Sequence, residues 1–226
     1  RRVLFRSKAL KPTDIKDSEY FHRVIDCQFA CPAHTPVPEY IRLIAEKRYA
    51  DAYMINWESN VFPGILGRVC DRPCEPACRR DRVEEKAVAI CRLKRVCADN
   101  KGDVKSRMPG PSTQKNGKKI ALIGGGPASL TVARDLLRLG YSIDLYDDQP
   151  EAGGFVRSQV PSFRLPKKVL DEEVNAILSM GVNAHLNTYI PSMKDFLAKG
   201  HDAVFVGTGA PRGRDLDLPG RQAAKD

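Results

Sequence analysis

The sequence predicts two domains of different class: an α-helical domain holding every cysteine, then an α/β domain on a Rossmann-like parallel sheet. Three observations predict it. All seven cysteines, Cys27, Cys31, Cys70, Cys74, Cys78, Cys91 and Cys97, lie within residues 1–100, where apolar spacing is helical wherever it is regular. The stretch KIALIGGGPAS at 119–129 reads as a strand, a turn of three glycines and the start of a helix. Between them, residues 101–118 place Gly102, Pro109, Gly110, Pro111 and Gly117 among polar side chains, the composition of a linker. The expected divisions are an arm at 1–18, the helical domain at 19–105, a linker at 106–118 and the first part of the α/β domain at 119–226.

With 226 residues, 42% hydrophobic and 29% charged, the chain has the balance of an ordinary globular protein. No apolar run reaches the length of a membrane span, so no membrane partner is expected. The opening RRVLFRS lacks periodicity and reads as a foreign scar, which also removes three cations, Arg1, Arg2 and Arg6, from the net charge of +9. The remaining excess belongs mostly to the first half, notably residues 68–95. That segment has no aromatic residue and its cationic runs are broken by acids, which argues against nucleic acid and for a solvated face or an acidic protein partner.

In chain order, residues 8–26 are polar and mixed, an arm that joins a helix late. Pro36 and Pro38 are expected to delay the first clear helix to 39–46, and a second is expected at 48–56. Residues 61–69, with Pro63, Gly64 and Gly67, read as a loop. Cys70, Cys74 and Cys78 recur every four residues, but Pro73 and Pro76 interrupt any helix there, so a wound loop is expected, followed by a helix at 87–100. In the second domain the pattern gives a strand at 120–123, a helix at 128–139 ended by Gly140 and a strand at 142–146. It continues with an extended, proline-bounded segment at 160–166, a helix at 168–180 and strands at 182–186 and 203–206. His22, His34, His185 and His201 are scattered, which assigns them surface or structural roles, and Trp57 reads as core.

An odd number of clustered cysteines without a secretory signal, beside a cofactor fold, argues for ligands rather than disulfides, and the compartment expected for the protein is cytoplasmic. Zinc on Cys27, Cys31, Cys70 and Cys74 would satisfy tetrahedral spacing, and an iron–sulfur cluster wants four thiolates as well. A neighbouring redox cofactor fold favours the cluster, since zinc does not change oxidation state. Zinc remains the alternative, as a non-catalytic interaction module joined to a degenerate nucleotide fold.

The glycine stretch reads as a dinucleotide cradle. Gly124 and Gly126 hold the first two fingerprint positions, Pro127 and Ala128 open the helix, and Ser129 is small enough for the third. Asp147 ends the second strand 21 positions after Gly126, the interval at which a carboxylate meets a ribose hydroxyl. Gly207, Thr208 and Gly209 end the last strand where a backbone could touch a ligand.

The cysteine-rich helical domain, GGGPAS, AGG at 152–154, VPSFRLP at 160–166 and VFVGTGA at 204–210 together resemble the NADPH-dependent glutamate synthase small-subunit type and its relatives, such as the N-terminal part of dihydropyrimidine dehydrogenase. The resemblance runs from about Cys27 to Gly220 and names the helical domain as an α-helical ferredoxin-like one. It implies FAD on Gly124, Gly126, Pro127, Ala128, Ser129 and Asp147, with Gly153, Gly154, Arg164, Thr208 and Gly209 lining the same cofactor. It also implies NAD(P)H as the hydride source and an electron-accepting partner subunit or domain. Two departures matter. The family places two further cysteines where this chain has Glu19 and His22, and its NAD(P)H-binding domain, inserted after a position near Gly220, is absent here, so the chain looks like the front of a longer protein. By family position Cys31, Cys70 and Cys74 share one cluster, while Cys27 and Cys78 belong to another that lacks two thiolates. One 4Fe–4S cluster is therefore expected on Cys31, Cys70, Cys74 and Cys91, with Cys27 and Cys78 close by and Cys97 a spectator on another face of its helix.

Overall fold

The computed structural model describes residues 25–210, and divides the chain into two compact units between Met108 and Pro109. The expected scar and arm, Glu19, His22 and the end of the resemblance near Gly220 lie outside the described residues.

In the first unit, α1 (Asp26–Ala30) carries Cys27, and the chain turns at Cys31 into α2 (Val37–Ala45). This helix starts before the expected residue 39, with Pro38 inside its first turn. A proline is tolerated there because the N–H it lacks would have no intrahelical partner. The next helix, α3 (Tyr49–Asn60), outruns its expected end at 56. The expected loop at 61–69 is instead a helix, α4 (Pro63–Val69), with Pro63 at its start. Gly67 serves packing rather than a turn: a Cβ on it would lie 2.9 Å from the Arg95 Cα. Arg95 belongs to α6 (Ile90–Asn100), and the missing side chain lets α4 and α6 approach backbone to backbone. Between them, residues 70–78 form the expected wound loop, and α5 (Arg79–Glu84) follows. Tyr40, Leu43, Ala52, Ile90 and Cys97 fill one core, and Tyr53, Trp57, Ala98 and Val104 fill another.

The second unit is a four-stranded, fully parallel sheet of β1 (Lys119–Ile123), β2 (Ser142–Tyr146), β3 (Asn183–His185) and β4 (Ala203–Val206), ordered β3-β2-β1-β4. Helices α7 (Pro127–Arg138) and α9 (Lys167–Leu178) pack on each other, and α7 also packs on β1 and β2. Two short helices, α8 (Phe155–Ser158) and α10 (Met193–Leu197), complete the unit. Phe196 of α10 covers Ala121 and Ile123 of β1. The segment expected to be extended at 160–166 is a turn, closed by Arg164 N–H donating to the Pro161 carbonyl at 2.9 Å.

Candidate functional site

The thiols fall into two neighbourhoods, each built from separate segments. Because Gly67 lets α4 meet α6, Cys70 at the end of α4 reaches Cys91 in the first turn of α6. The two thiols share a hydrogen bond, which holds Cys70 below and Cys91 above the usual thiol range. Arg72, held in the left-handed region at φ 61°, aims its N–H at the Cys70 sulfur at 3.3 Å. Cys74 feels both Cys31 and Cys70, and burial pushes its thiol up to about 11. Cys31 contacts Thr35, whose buried hydroxyl also receives Ser59 Oγ at 3.1 Å. Cys31, Cys70, Cys74 and Cys91 thus lie in one neighbourhood.

Cys27 faces Cys78 in a recess shared with Ile25, Asp26, Arg79 and Arg80, and burial raises its thiol pKa. Cys97 is fully buried in the same core cluster as Cys74, with its thiol donating to the Lys94 carbonyl at 3.0 Å. Two residues not anticipated from sequence also belong here: Glu75, whose Oε1 accepts the Cys91 N–H at 3.0 Å, and Lys94, buried one turn after Cys91. Only the pattern of a polar residue on a buried helix face could have signalled Lys94.

Among the described residues no three His, Cys, Asp or Glu side chains close around one point in the way a single ion demands. Zinc holds its thiolates near 2.3 Å from one centre. A cluster instead takes one thiolate per iron around a wider core, and a donor set made only of thiols suits iron–sulfur chemistry. The cations of the segment are largely self-paired: Arg79 with Asp26 at 2.9 Å, Arg80 with Glu84 at 2.6 Å and Arg95 with Asp99 at 3.2 Å.

In the second unit the three glycines do three different things. Gly124 sits at φ 96°, and a Cβ there would lie 2.8 Å from the Gly207 carbonyl carbon at the end of β4. Gly125 donates its N–H to Asp147 Oδ2, and a Cβ on it would press on that same oxygen. A Cβ on Gly126 would meet nothing nearer than the Gly154 Cα at 3.9 Å, so the space in front of it is open. Gly126 is also the N-cap of α7 and supplies no side-chain cap, which leaves the first N–H groups of that helix for an external acceptor. Ser129 is fully buried, and its hydroxyl has no partner while lying against Gly207. Asp147 Oδ1 accepts the Gln149 N–H at 2.8 Å, and each carboxylate oxygen keeps a lone pair to spare.

Gly153 donates its N–H to the Gly125 carbonyl at 2.8 Å, and Gly154 abuts the Gly126 backbone. Arg157, not singled out from sequence, braces this turn through the Ala152 carbonyl at 2.6 Å and Asp171 at 2.8 Å. Thr208 and Gly209 are exposed just beyond the Gly124 turn, while Arg164 is exposed in its own turn. An anionic, extended dinucleotide fits this set: an open glycine floor, an uncapped helix end, an unpartnered hydroxyl and a carboxylate.

Residues 22–105 match the family model described as dihydropyrimidine dehydrogenase domain II, 4Fe-4S cluster, and residues 122–193 match that of an NAD(P)-binding Rossmann-like domain. Similar proteins include the NADP(+)-dependent formate dehydrogenase subunit beta of Moorella thermoacetica, 38% identical over 81% of this chain and 29% of that one. The NADPH-Fe(3+) oxidoreductase subunit beta of Geobacter sulfurreducens is 36% identical over 92% of this chain and 32% of its own. The glutamate synthase (NADPH) small chain of Azospirillum brasilense is 34% identical over 86% and 41%. The chain is thus similar to this group of oxidoreductase subunits over most of its own length. It spans less than half the length of these relatives. The family's fold, a helical iron–sulfur domain followed by a Rossmann-like domain, is the one seen here. No helix among the described residues is long and apolar enough to cross a membrane.

Proposed function

We propose that this chain is the electron-handling front of an NAD(P)H oxidoreductase subunit, with FAD on the turn between β1 and α7 and one 4Fe–4S cluster on Cys31, Cys70, Cys74 and Cys91, serving an electron-accepting partner. The observation that carries the reading is the pairing, in one chain, of an all-thiol neighbourhood with a glycine-floored helix end whose N–H groups are uncapped. When bound, a flavin takes up a hydride as an electron pair and a cluster passes electrons singly.

The chain's own residues supply the setting. Gly126 and the first turn of α7 receive the pyrophosphate, Ser129 donates its hydroxyl, and Asp147 accepts from the adenosine ribose. Gly153, Gly154, Thr208 and Gly209 line the same ligand. In the helical unit Arg72 directs an N–H at one ligating sulfur, and Glu75 fixes the backbone at another. Cys27 and Cys78 stay as neighbouring thiols. The names of the relatives support NADPH as the donor, and the self-paired arginines of residues 68–95 support a protein partner rather than nucleic acid.

Anaerobic reconstitution with iron, sulfide and FAD tests the reading. The expected protein is brown-yellow, with flavin bands over broad sulfide-to-iron absorption, and contains near four irons per chain. Cys74→Ser loses the iron and Cys97→Ser keeps it. A colourless protein that takes up zinc instead would sink the proposal, and near eight irons would show that a second cluster forms.

A further inference from the structure

Thr35 is wholly buried, and its hydroxyl oxygen lies 3.5 Å from the Cys31 sulfur. A turn closed by His34 N–H donating to the Cys31 carbonyl at 2.9 Å, with His34 at φ 47°, brings Thr35 back to that sulfur. The last turn of α3 meets the same hydroxyl, with Asn60 Nδ2 at 3.4 Å and Ser59 Oγ at 3.1 Å. A threonine hydroxyl has one proton to give and two lone pairs to receive with, so three neighbours fill it. Asn60 only donates here. Its Nδ2 also reaches Asn56 Oδ1 at 3.2 Å, and Asn56 is itself oriented by its own Nδ2, which donates to the Ala52 carbonyl at 2.8 Å. Reversing the Asn60 amide would set two acceptors face to face. Ser59 can take either part, because its oxygen also lies 3.2 Å from the Asn56 carbonyl.

We infer that the Thr35 hydroxyl donates a hydrogen bond to the ligating sulfur of Cys31 and raises the reduction potential of the cluster that this sulfur would hold. This rests on the reading that Cys31, Cys70, Cys74 and Cys91 hold that cluster. A protonated Cys31 gives its proton to Thr35, which turns its own to Ser59, and Ser59 donates to the Asn56 carbonyl. A ligating Cys31 has lost that proton and only accepts. Thr35 then turns its proton to the sulfur, and Ser59 donates into the lone pair that the thiol had occupied. Every hydroxyl proton keeps an acceptor in both arrangements, and the burial of Thr35 keeps water from competing for it. Hydrogen bonds to the sulfurs are among the factors that set such potentials, and they are stronger to a charged acceptor, so this bond favours the more negative, reduced state. Thr35 is a positioning residue: it acts through Cys31 and ligates nothing.

The test is a redox titration followed by electron paramagnetic resonance on the reconstituted wild-type protein, on Thr35→Ser, and on two forms without the hydroxyl, Thr35→Val and Thr35→Ala. Iron and sulfide are counted for each. Valine keeps the bulk of threonine and alanine does not, so if one of the two fails to fold the other decides. Thr35→Val and Thr35→Ala are expected to keep their iron and to shift the one-electron reduction equilibrium about fivefold toward the oxidised form, or about 40 mV more negative. Thr35→Ser retains the donor and is expected to stay near the wild-type potential. An iron-replete variant without the hydroxyl at an unchanged potential overturns the inference and leaves the cluster reading standing. A Thr35→Ser shifted as far as Thr35→Val also overturns it, since the methyl group would then be what matters. Loss of iron from both forms without the hydroxyl, while their iron-free proteins still melt cooperatively and Thr35→Ser keeps its iron, supports the bond as a requirement of the site. Loss from all three variants overturns it. Wild-type protein without iron overturns the cluster reading, and this inference with it.

Discussion

A single methyl group separates the three glycines of the 124–126 turn by role. At Gly124 a Cβ collides with backbone and the φ of 96° is unfavourable to any side chain, so Gly124→Ala should cost about 2–4 kcal/mol of stability, read as a lower urea midpoint. At Gly126 the backbone is ordinary, at φ −77°, and the neighbouring space is open. Gly126→Ala should therefore leave the unliganded protein within about 1 kcal/mol of wild type while weakening FAD binding in a fluorescence titration. A large loss of stability there would mean that the space is not kept for a ligand. Asp147 combines both roles in the proposed function, since it ties the glycine turn to β2 and keeps lone pairs that the proposal gives to a ribose. Removal of one charge-assisted hydrogen bond costs about 1.5–3 kcal/mol, so Asp147→Ala should bind FAD ten- to hundredfold more weakly. Unchanged affinity would transfer the role to Asp148 or remove it.

Among the elements, α4 is defined by what Gly67 permits. Its contact with α6 brings Cys70 to Cys91, so Gly67→Ala should destabilise the helical unit by about 1–3 kcal/mol. It should also lower the iron content after reconstitution, where the same change at exposed Gly110 should not. In the sheet, β2 carries Asp144, a buried carboxylate held by Lys119 Nζ at 2.8 Å, His201 Nε2 at 2.9 Å and Asn183 Nδ2 at 2.9 Å. Burial alone would raise its pKa, but these bonds outweigh it and leave the value lowered. The folded value lies below the unfolded one of about 3.9, so the contribution is complete above that pH and lost as pH falls through the folded pKa. Urea midpoints at pH 7 and pH 3 should show this acid loss in the wild type and a smaller one in Asp144→Asn. Equal acid sensitivity in both would assign the effect elsewhere. Ring stacking of Tyr146 on His185 and of Phe196 on His201 keeps both histidines beside this carboxylate, in structural roles.

At the scale of the molecule, the thiols proposed for the cluster come from three stretches distant in sequence, around Cys31, Cys70 to Cys74, and Cys91. A cluster that bridges them stabilises the helical unit by linkage, as any ligand of the native state does. Calorimetry should therefore show one transition that falls when iron is removed by a chelator. A second transition should rise with FAD, by about 2.7 kcal/mol at a hundredfold excess over its Kd. A single transition that responds to both would mean that the two units unfold together.

Short-range pattern was enough for the α/β unit. The strand, glycine turn, helix and second strand are each decided within a dozen residues, and 142–146 and 203–206 fall where alternation and flanking residues place them. The helical unit was less legible because its glycines and prolines have tertiary meanings. Pro38 and Pro63 start helices instead of preventing them, and Gly67 is a packing surface whose reason lies in Arg95, 28 residues away. That the cysteines are ligands rather than disulfides could be read from their number and clustering, whereas the preference for a cluster over zinc drew on the cofactor fold beside them. The physical reason that these thiols share a neighbourhood, a grouping the sequence offered only through the family resemblance, needed the crossing of α4 and α6. So did the position of Lys94, because its burial depends on the elements that close over α6 and not on any residue beside it.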